Sequence, residues 1–200
     1  MRRRGGRGEA DDAGPWLDPA ETRTRLLLFG LSPADGLPAV LKSGVVAALV
    51  LPAAAVEDGV RALCREWQLP LILRGDTAQE ARGEAGRGHL AAAEQVAGAR
   101  AALGREWIIG ADCGLSRHAA MVAGEAGADY VLFGSPDLAP PAAVADLVAW
   151  WSELFVLPCA AGGRFTPDMV RAMVAAGADF LAVPDAKVEL AQALVTTGSM

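Results

Sequence analysis

The stretch Ala160-Ala-Gly-Gly-Arg-Phe-Thr-Pro-Asp168 combines residue types that could hold a phosphate. A Gly-Gly pair follows a short apolar run, and the Thr-Pro-Asp behind it is a helix start. Glycines let a backbone approach an anion closely, and N–H groups ahead of a helix point toward it. Arg164 adds a positive charge, so Gly162, Gly163 and Arg164 form a candidate phosphate-binding group. A tight strand-to-loop turn would need the same glycines with no ligand at all, and both readings stay open here. The other chemistry-bearing types are sparse. His89 falls in a short apolar run, where a packed, hydrogen-bonded role competes with a catalytic one. His118 lies in a helical stretch and is expected at the surface, and Cys113 and Cys159 read as small apolar fillers.

The elements that must position these residues alternate. From Arg25 onward, short apolar runs are separated by Ala-rich helical stretches. The runs are Leu26–Leu31, Val45–Leu51, Pro70–Leu73, Gly88–Leu90, Trp107–Gly110, Asp129–Gly134, Leu154–Ala160 and Asp179–Val183. Runs that are apolar throughout suit parallel strands buried on both faces. Between them, Leu115–Gly127 puts Leu115, Ala119, Val122 and Ala126 on one helical face. Thr166–Gly177 is a helix with a Thr cap, a Pro in its first turn and a Gly stop, and Ala142–Trp151 is another. The segment Ala126-Gly-Ala-Asp-Tyr-Val-Leu-Phe returns 50 residues later as Ala176-Gly-Ala-Asp-Phe-Leu-Ala-Val. That offset fits two strand–helix units of roughly 25 residues each, and eight such units fill the chain. The predicted fold class is therefore α/β, a compact (β/α)8 TIM barrel, with a doubly wound open sheet as the competitor. In both repeats the Gly is expected to end a helix and the Asp, Asp129 or Asp179, to open a strand at the stability face of the barrel.

Two hundred residues, 52% hydrophobic and 21% charged, suit one folded domain over residues 25–200 behind a flexible tail over 1–24. The tail is basic, but the net charge of −6 argues against a nucleic-acid partner. No apolar run approaches the ~20 residues of a membrane span, and no signal-peptide pattern opens the chain. Three widely spaced cysteines show neither zinc spacing nor a disulfide framework. A cytoplasmic protein without a membrane partner is expected; no oligomeric state can be read from the residues.

In order along the chain, Gly44-Val-Val-Ala-Ala-Leu-Val, Pro70-Leu-Ile-Leu, His89-Leu90 and Ile109-Gly110 are followed by Ala126-Gly-Ala-Asp-Tyr-Val-Leu-Phe-Gly134. Gly162-Gly163, Thr166-Pro-Asp and Ala175-Ala-Gly-Ala-Asp-Phe-Leu-Ala-Val183 complete the series. This order resembles the thiamine phosphate synthase family and its relative, the thiazole tautomerase, over roughly Leu26 to Asp185. The resemblance implies a (β/α)8 barrel linked to thiamine biosynthesis. Its reaction would couple a pyrimidine diphosphate to a thiazole phosphate with Mg2+.

Position by position, the resemblance also implies a changed site. The family's Gln-x-Arg-x-Lys diphosphate clamp falls on Leu49, Leu51 and Ala53. Its Asn-Asp pair becomes Arg74-Gly75, with Asp76 just after, and its second Mg2+ carboxylate is offered by Glu94. A phosphate-contacting Ser becomes Asp112, and the following His becomes Gly114. The loop Lys is missing from Gly134-Ser-Pro-Asp-Leu-Ala-Pro-Pro141, and the tautomerase His becomes Ser135. The last phosphate-binding Ser gives way to Pro184-Asp185. Arg74, His89, Asp112, Ser135 and Asp185 are thus candidate site-lining residues, and Asp76 with Glu94 is the metal pair if the site is active. No other cofactor is implied. The expected protein is a divergent family member with the standard synthase activity lost and a residual site for a small phosphorylated ligand. The alternative is an active synthase, or another phosphate-handling barrel enzyme, with a rebuilt site.

Overall fold

Runs that are apolar on both faces need cover on both sides, and closing the sheet on itself inside a ring of helices supplies it. The computed structural model describes residues 24–30, 37–75, 87–90, 92–138, 140 and 142–197. Eight parallel strands close into a barrel in chain order. They are β1 Arg25–Leu28, β2 Val46–Pro52, β3 Leu71–Gly75, β4 Arg87–Leu90, β5 Ile108–Gly114, β6 Tyr130–Gly134, β7 Cys159–Gly162 and β8 Phe180–Val183. The described α-helices are α1 Leu37–Lys42, α2 Asp58–Glu66, α3 Val96–Leu103, α4 Arg117–Glu125, α5 Ala142–Leu154, α6 Pro167–Ala175 and α7 Val188–Thr197. The predicted barrel is present. The tail over residues 1–24 lies outside the described residues except for Thr24, whose Oγ1 donates to Ala178 O at 2.7 Å.

Side chains alternate between two cores. Leu27, Ala48, Val50, Ile72, Tyr130, Leu132, Ala160, Phe180 and Ala182 fill the barrel interior, with Phe29 and Ile108 against them. Leu26, Leu28, Val46, Leu49, Leu51, Val131, Phe133, Leu181 and Val183 face the helices instead. The sequence repeat has the meaning expected of it. Gly127 and Gly177 both sit at φ 90°, a left-handed conformation that costs glycine nothing. Each closes a helix in the same way: Ala128 N donates to Ala123 O at 2.9 Å, and Ala178 N donates to Met173 O at 3.1 Å. The two aspartates then clamp the start of the preceding strand. Asp129 Oδ2 accepts from Ile109 N at 2.6 Å and Asp179 Oδ2 accepts from Cys159 N at 2.8 Å. Arg100 locks the first clamp, donating to Asp129 Oδ2 at 2.7 Å and to Gly127 O.

Two local expectations are corrected. The apolar run Leu154–Ala160 is not one strand: α5 continues to Leu154 and β7 starts at Cys159. Leu154 and Val156 are exposed at the turn, while Trp151 is anchored by its Nε1, which donates to Leu157 O at 2.7 Å. The face of α4 is also rotated. Its buried residues are Ala120 and Ala123, and Leu115 is exposed, because the helix begins only after Ser116. Ser116 Oγ accepts from Ala119 N at 3.1 Å, and that cap sets the phase of the first turn.

Candidate functional site

The strands' C-terminal ends form the barrel mouth, where βα loops of such folds carry chemistry. Four strands present one continuous row of interior positions, running from the C-terminal end of β3 to the first residue of β6. Arg74 pairs with His89, His89 with Gly110, and Gly110 with Tyr130, from β3 to β6. Residues in register on parallel strands point to the same face. The row therefore places Arg74, His89 and Tyr130 in the interior, with Gly110 leaving a gap between the last two. The gap is filled at once: an alanine Cβ at Gly110 would lie 2.1 Å from the Tyr130 ring. Through it His89 Nδ1 and Tyr130 Oη meet at 2.9 Å, and the rings stack at 5.6 Å.

His89 is wholly buried, and its other nitrogen, Nε2, has no hydrogen-bond partner among the described residues. Leaving such an atom unsatisfied costs about 1–3 kcal/mol. Burial first, and the Arg74 charge second, push its pKa down to about 3, so the imidazole is neutral at physiological pH. The Phe29 ring meets His89 edge-on at 5.2 Å, and the Arg74 guanidinium lies 5.7 Å from the centre of Phe29. Asp112, two residues beyond Gly110, occupies the next interior position of β5. Its Oδ1 accepts from Gly114 N at 3.1 Å. Burial raises its pKa, while the Gly114 N–H and Arg74 pull it back. Cys113, between them in sequence, turns to the helix-facing core. Its thiol is pushed up to about 12, mainly by burial and then by Asp112, so it is no nucleophile.

On the opposite strands the Gly162–Gly163 pair is packed against protein. Gly163 N donates to Ala182 O at 3.0 Å and Arg164 N donates to Leu138 O at 2.8 Å. A Cβ on Gly163 would lie 2.8 Å from the Pro140 ring, and one on Gly162 would lie 3.1 Å from Ser135 backbone atoms. The loop after β6, closed by Leu138 N donating to Ser135 O, thus lies over the pair. Arg164 is exposed, with Nε donating to Asp137 O at 2.8 Å. Asp185 is half-buried just past β8.

The structure therefore brings Arg74, His89 and Asp112 together, and separately groups Ser135 with Gly162, Gly163 and Arg164. Asp76 lies outside the described residues, and Glu94 is exposed on the short turn Ala93–Gln95. No group of three or more His, Cys, Asp or Glu among the described residues could hold a metal ion. Mg2+ needs only one or two protein carboxylates beside water and phosphate oxygens, and Asp112 is the carboxylate that the described residues place beside Arg74.

The positions aligned with a diphosphate clamp need correction. Leu49 and Leu51 face the helices, and Ala53 is on a short exposed turn. The register between β1 and β2 shifts between Leu26 and Leu27, and a slip of one residue exchanges the two faces of a strand. The interior-facing positions of β2 are Ala47, Ala48, Val50 and, by alternation, Pro52. They are equally apolar. Sequence reasoning missed Phe29, Gly110 and Tyr130 as site residues, although Tyr130 is the single tyrosine of the chain and opens a strand.

The sequence model described as thiamine monophosphate synthase matches residues 53–186. A thiamine-phosphate synthase of Erythrobacter litoralis is 37% identical over 194 residues, covering 84% of this chain and 90% of that protein. One from Rhodospirillum centenum is 47% identical over 90 residues, 42% of this chain and 44% of that one. Among solved structures, thiamine phosphate pyrophosphorylase from Pyrococcus furiosus has a TM-score of 0.64 at 19% identity, covering 89% of this chain and 97% of that one. Among the described residues no helix is long and apolar enough to cross a membrane.

Proposed function

Because the chain belongs to the thiamine monophosphate synthase family, we propose that it keeps the family barrel and a ligand site at its mouth but has lost the standard coupling reaction. One observation carries this reading: the interior-facing end of β2 is Ala48, Val50 and Pro52, with no cation or amide to hold a diphosphate. A diphosphate leaving group carries several negative charges, and its departure is catalysed mainly by fixed positive groups around it. Among the described residues Arg74 stands on β3 and Arg164 beyond β7, which is little charge to replace a clamp. A small phosphorylated ligand needs less. Arg74 supplies a guanidinium on the interior face, and Arg164 keeps terminal nitrogens without a protein partner among the described residues. In this reading Gly162 and Gly163 serve the ligand only if the covering loop moves, since the N–H groups of Gly163 and Arg164 already donate to carbonyls.

The second reading is an active enzyme with a rebuilt site. It is favoured by the 37% identity spread over most of the chain and by Arg74, His89 and Asp112 as new or retained polar groups at the mouth. One assay separates the two. Pure protein is incubated with pyrimidine diphosphate, thiazole phosphate and Mg2+, and thiamine phosphate is measured. No product is expected; turnover near 1 s⁻¹, at the low end of ordinary enzyme rates of roughly 1–10³ s⁻¹, would establish the active reading.

A further inference from the structure

The outer wall of the barrel carries apolar surface along α4. This helix buries Ala120 and Ala123 and turns Arg117, His118, Met121 and Glu125 to solvent. Leu115 projects just ahead of it, more than half exposed. At the other end of the helix an apolar groove of about 340 Å³ runs beside the end of α5, lined by Met121, Gly124, Trp151, Phe155, Val156 and Leu157. Val156 is fully exposed on its rim. Gly124 keeps the groove open, since a Cβ there would already touch Leu157 at 3.4 Å and Trp151 at 3.7 Å. Single exposed apolar residues are ordinary, but a projecting leucine at one end of a helix and an apolar hole at the other are two halves of one contact.

The charges on α4 are matched in the same way. Neither Arg117 nor Glu125 has an ion-pair partner among the described residues. Eight positions apart, they lie about 12 Å from each other along the helix, too far to pair. The Arg117 guanidinium sits 4.7 Å from the centre of the Trp150 ring, which holds its plane and leaves its N–H edge for a carboxylate. Arg117 and Glu125 stand four residues on either side of Met121, and His118 and Gly124 stand three on either side. A two-fold axis through Met121 therefore sets Arg117 of each copy opposite the partner's Glu125, and the bulky His118 opposite the partner's Gly124. Leu115, further out on the same line, then falls at the groove beside Val156.

We propose that α4 and the α5–β7 turn form a dimer interface, with α4 antiparallel to the same helix of a second copy and Leu115 of each copy seated in the groove of the other. The occupant is a second copy because the charge pattern is complementary to itself: one sign at each end of one helix. An isologous contact also uses both grooves at once, so assembly stops at two copies. One helix face and one groove per copy fall at the low end of stable interfaces, so a dissociation constant of about 1–100 μM is expected. The interface does not depend on what occupies the mouth.

The test is sedimentation velocity on the full chain from about 1 to 200 μM, a range that brackets that affinity. The mass is expected to rise from monomer to dimer and to stop there. Arg117→Glu and Glu125→Arg, each alone, set like charges opposite one another twice and should weaken self-association about tenfold or more. The double variant exchanges the signs and should dimerise like the parent. The two single variants mixed should also associate, since one copy then carries two carboxylates and the other two guanidiniums. Met121→Glu should weaken the dimer as well, by placing like charges at the axis. If Arg117→Glu fails to fold, Glu125→Arg and Met121→Glu still report. The interface is excluded by a chain that stays monomeric at about 200 μM, by assembly beyond two copies, by a dimer indifferent to the single substitutions, or by folded single variants that ignore one another when mixed. A groove already filled by another part of the chain would give the first of these results.

Discussion

His89 and Tyr130 meet across a strand that puts no side chain between them. Nδ1 and Oη are 2.9 Å apart, and Gly110, in register with both, is the residue that lets them touch. This contact fixes one nitrogen of a buried imidazole and leaves the other buried without a hydrogen-bond partner among the described residues. It also couples the candidate site to the core, because Tyr130 packs in turn on Phe180 at 6.2 Å.

Acidification should expose the buried imidazole as a stability term. Its folded pKa is pushed down to about 3 from 6.5. Below pH 6.5 the unfolded chain therefore takes up a proton that the folded chain refuses. The contribution is complete above that pH and is lost as pH falls toward 3, by about 1.4 kcal/mol per pH unit. Asp112 and Asp179, whose pKa values are raised by burial, act with the opposite sign, since acid favours their folded form. Comparing the protein with His89→Asn by urea unfolding at pH 7 and pH 5 isolates the histidine. The unaltered protein should lose about 2 kcal/mol more than the variant; equal losses would mean that His89 titrates normally in the fold.

Gly110→Ala should be among the most damaging small substitutions in the barrel. The new Cβ would lie 2.1 Å from the Tyr130 ring, which is wholly buried and cannot swing into solvent. Overpacking of this kind costs about 1–3 kcal/mol or more. The unfolding free energy should fall by that amount, and the histidine pH term should change because the Tyr130 contact is broken. A variant as stable as the parent would show that the ring has another place to go.

Asp129→Ala should destabilise without touching ligand binding. It leaves Ile109 N without its side-chain acceptor and Arg100 without its carboxylate partner. The carboxylate is about a third exposed and the guanidinium less so, so solvent screening discounts the ion pair. A loss of about 1–2 kcal/mol in thermal or urea unfolding is expected from the N–H alone. Ligand affinity measured on the folded variant should not move, because the clamp lies at the end of the barrel opposite the mouth. A variant with parental stability but altered affinity would place Asp129 in the site after all.

Much of the architecture is legible in local chemistry. Runs apolar on both faces, an Ala-rich alternation and a 50-residue repeat specify a barrel, because few other arrangements bury such strands on both sides. Gly127, Gly177, Asp129 and Asp179 also declare themselves, since caps and strand-start clamps are built from neighbours in sequence or from one adjacent strand. The apolar character of β2 is legible in the same way, as both of its faces are apolar and either register gives the same result. What only the tertiary structure decided is which face each residue serves and what its partners leave free. Leu49 and Leu51 turn outward because a bulge shifts one strand by a residue. The Gly162–Gly163 N–H groups look available in sequence, yet the pair lies under the loop carrying Ser135 and Pro140. Arg74, His89, Asp112 and Phe29 are scattered along the chain and converge only when the parallel strands close into a barrel. Their unused bonding atoms are a property of that convergence, which depends on distances between strands rather than on the order of residues within one.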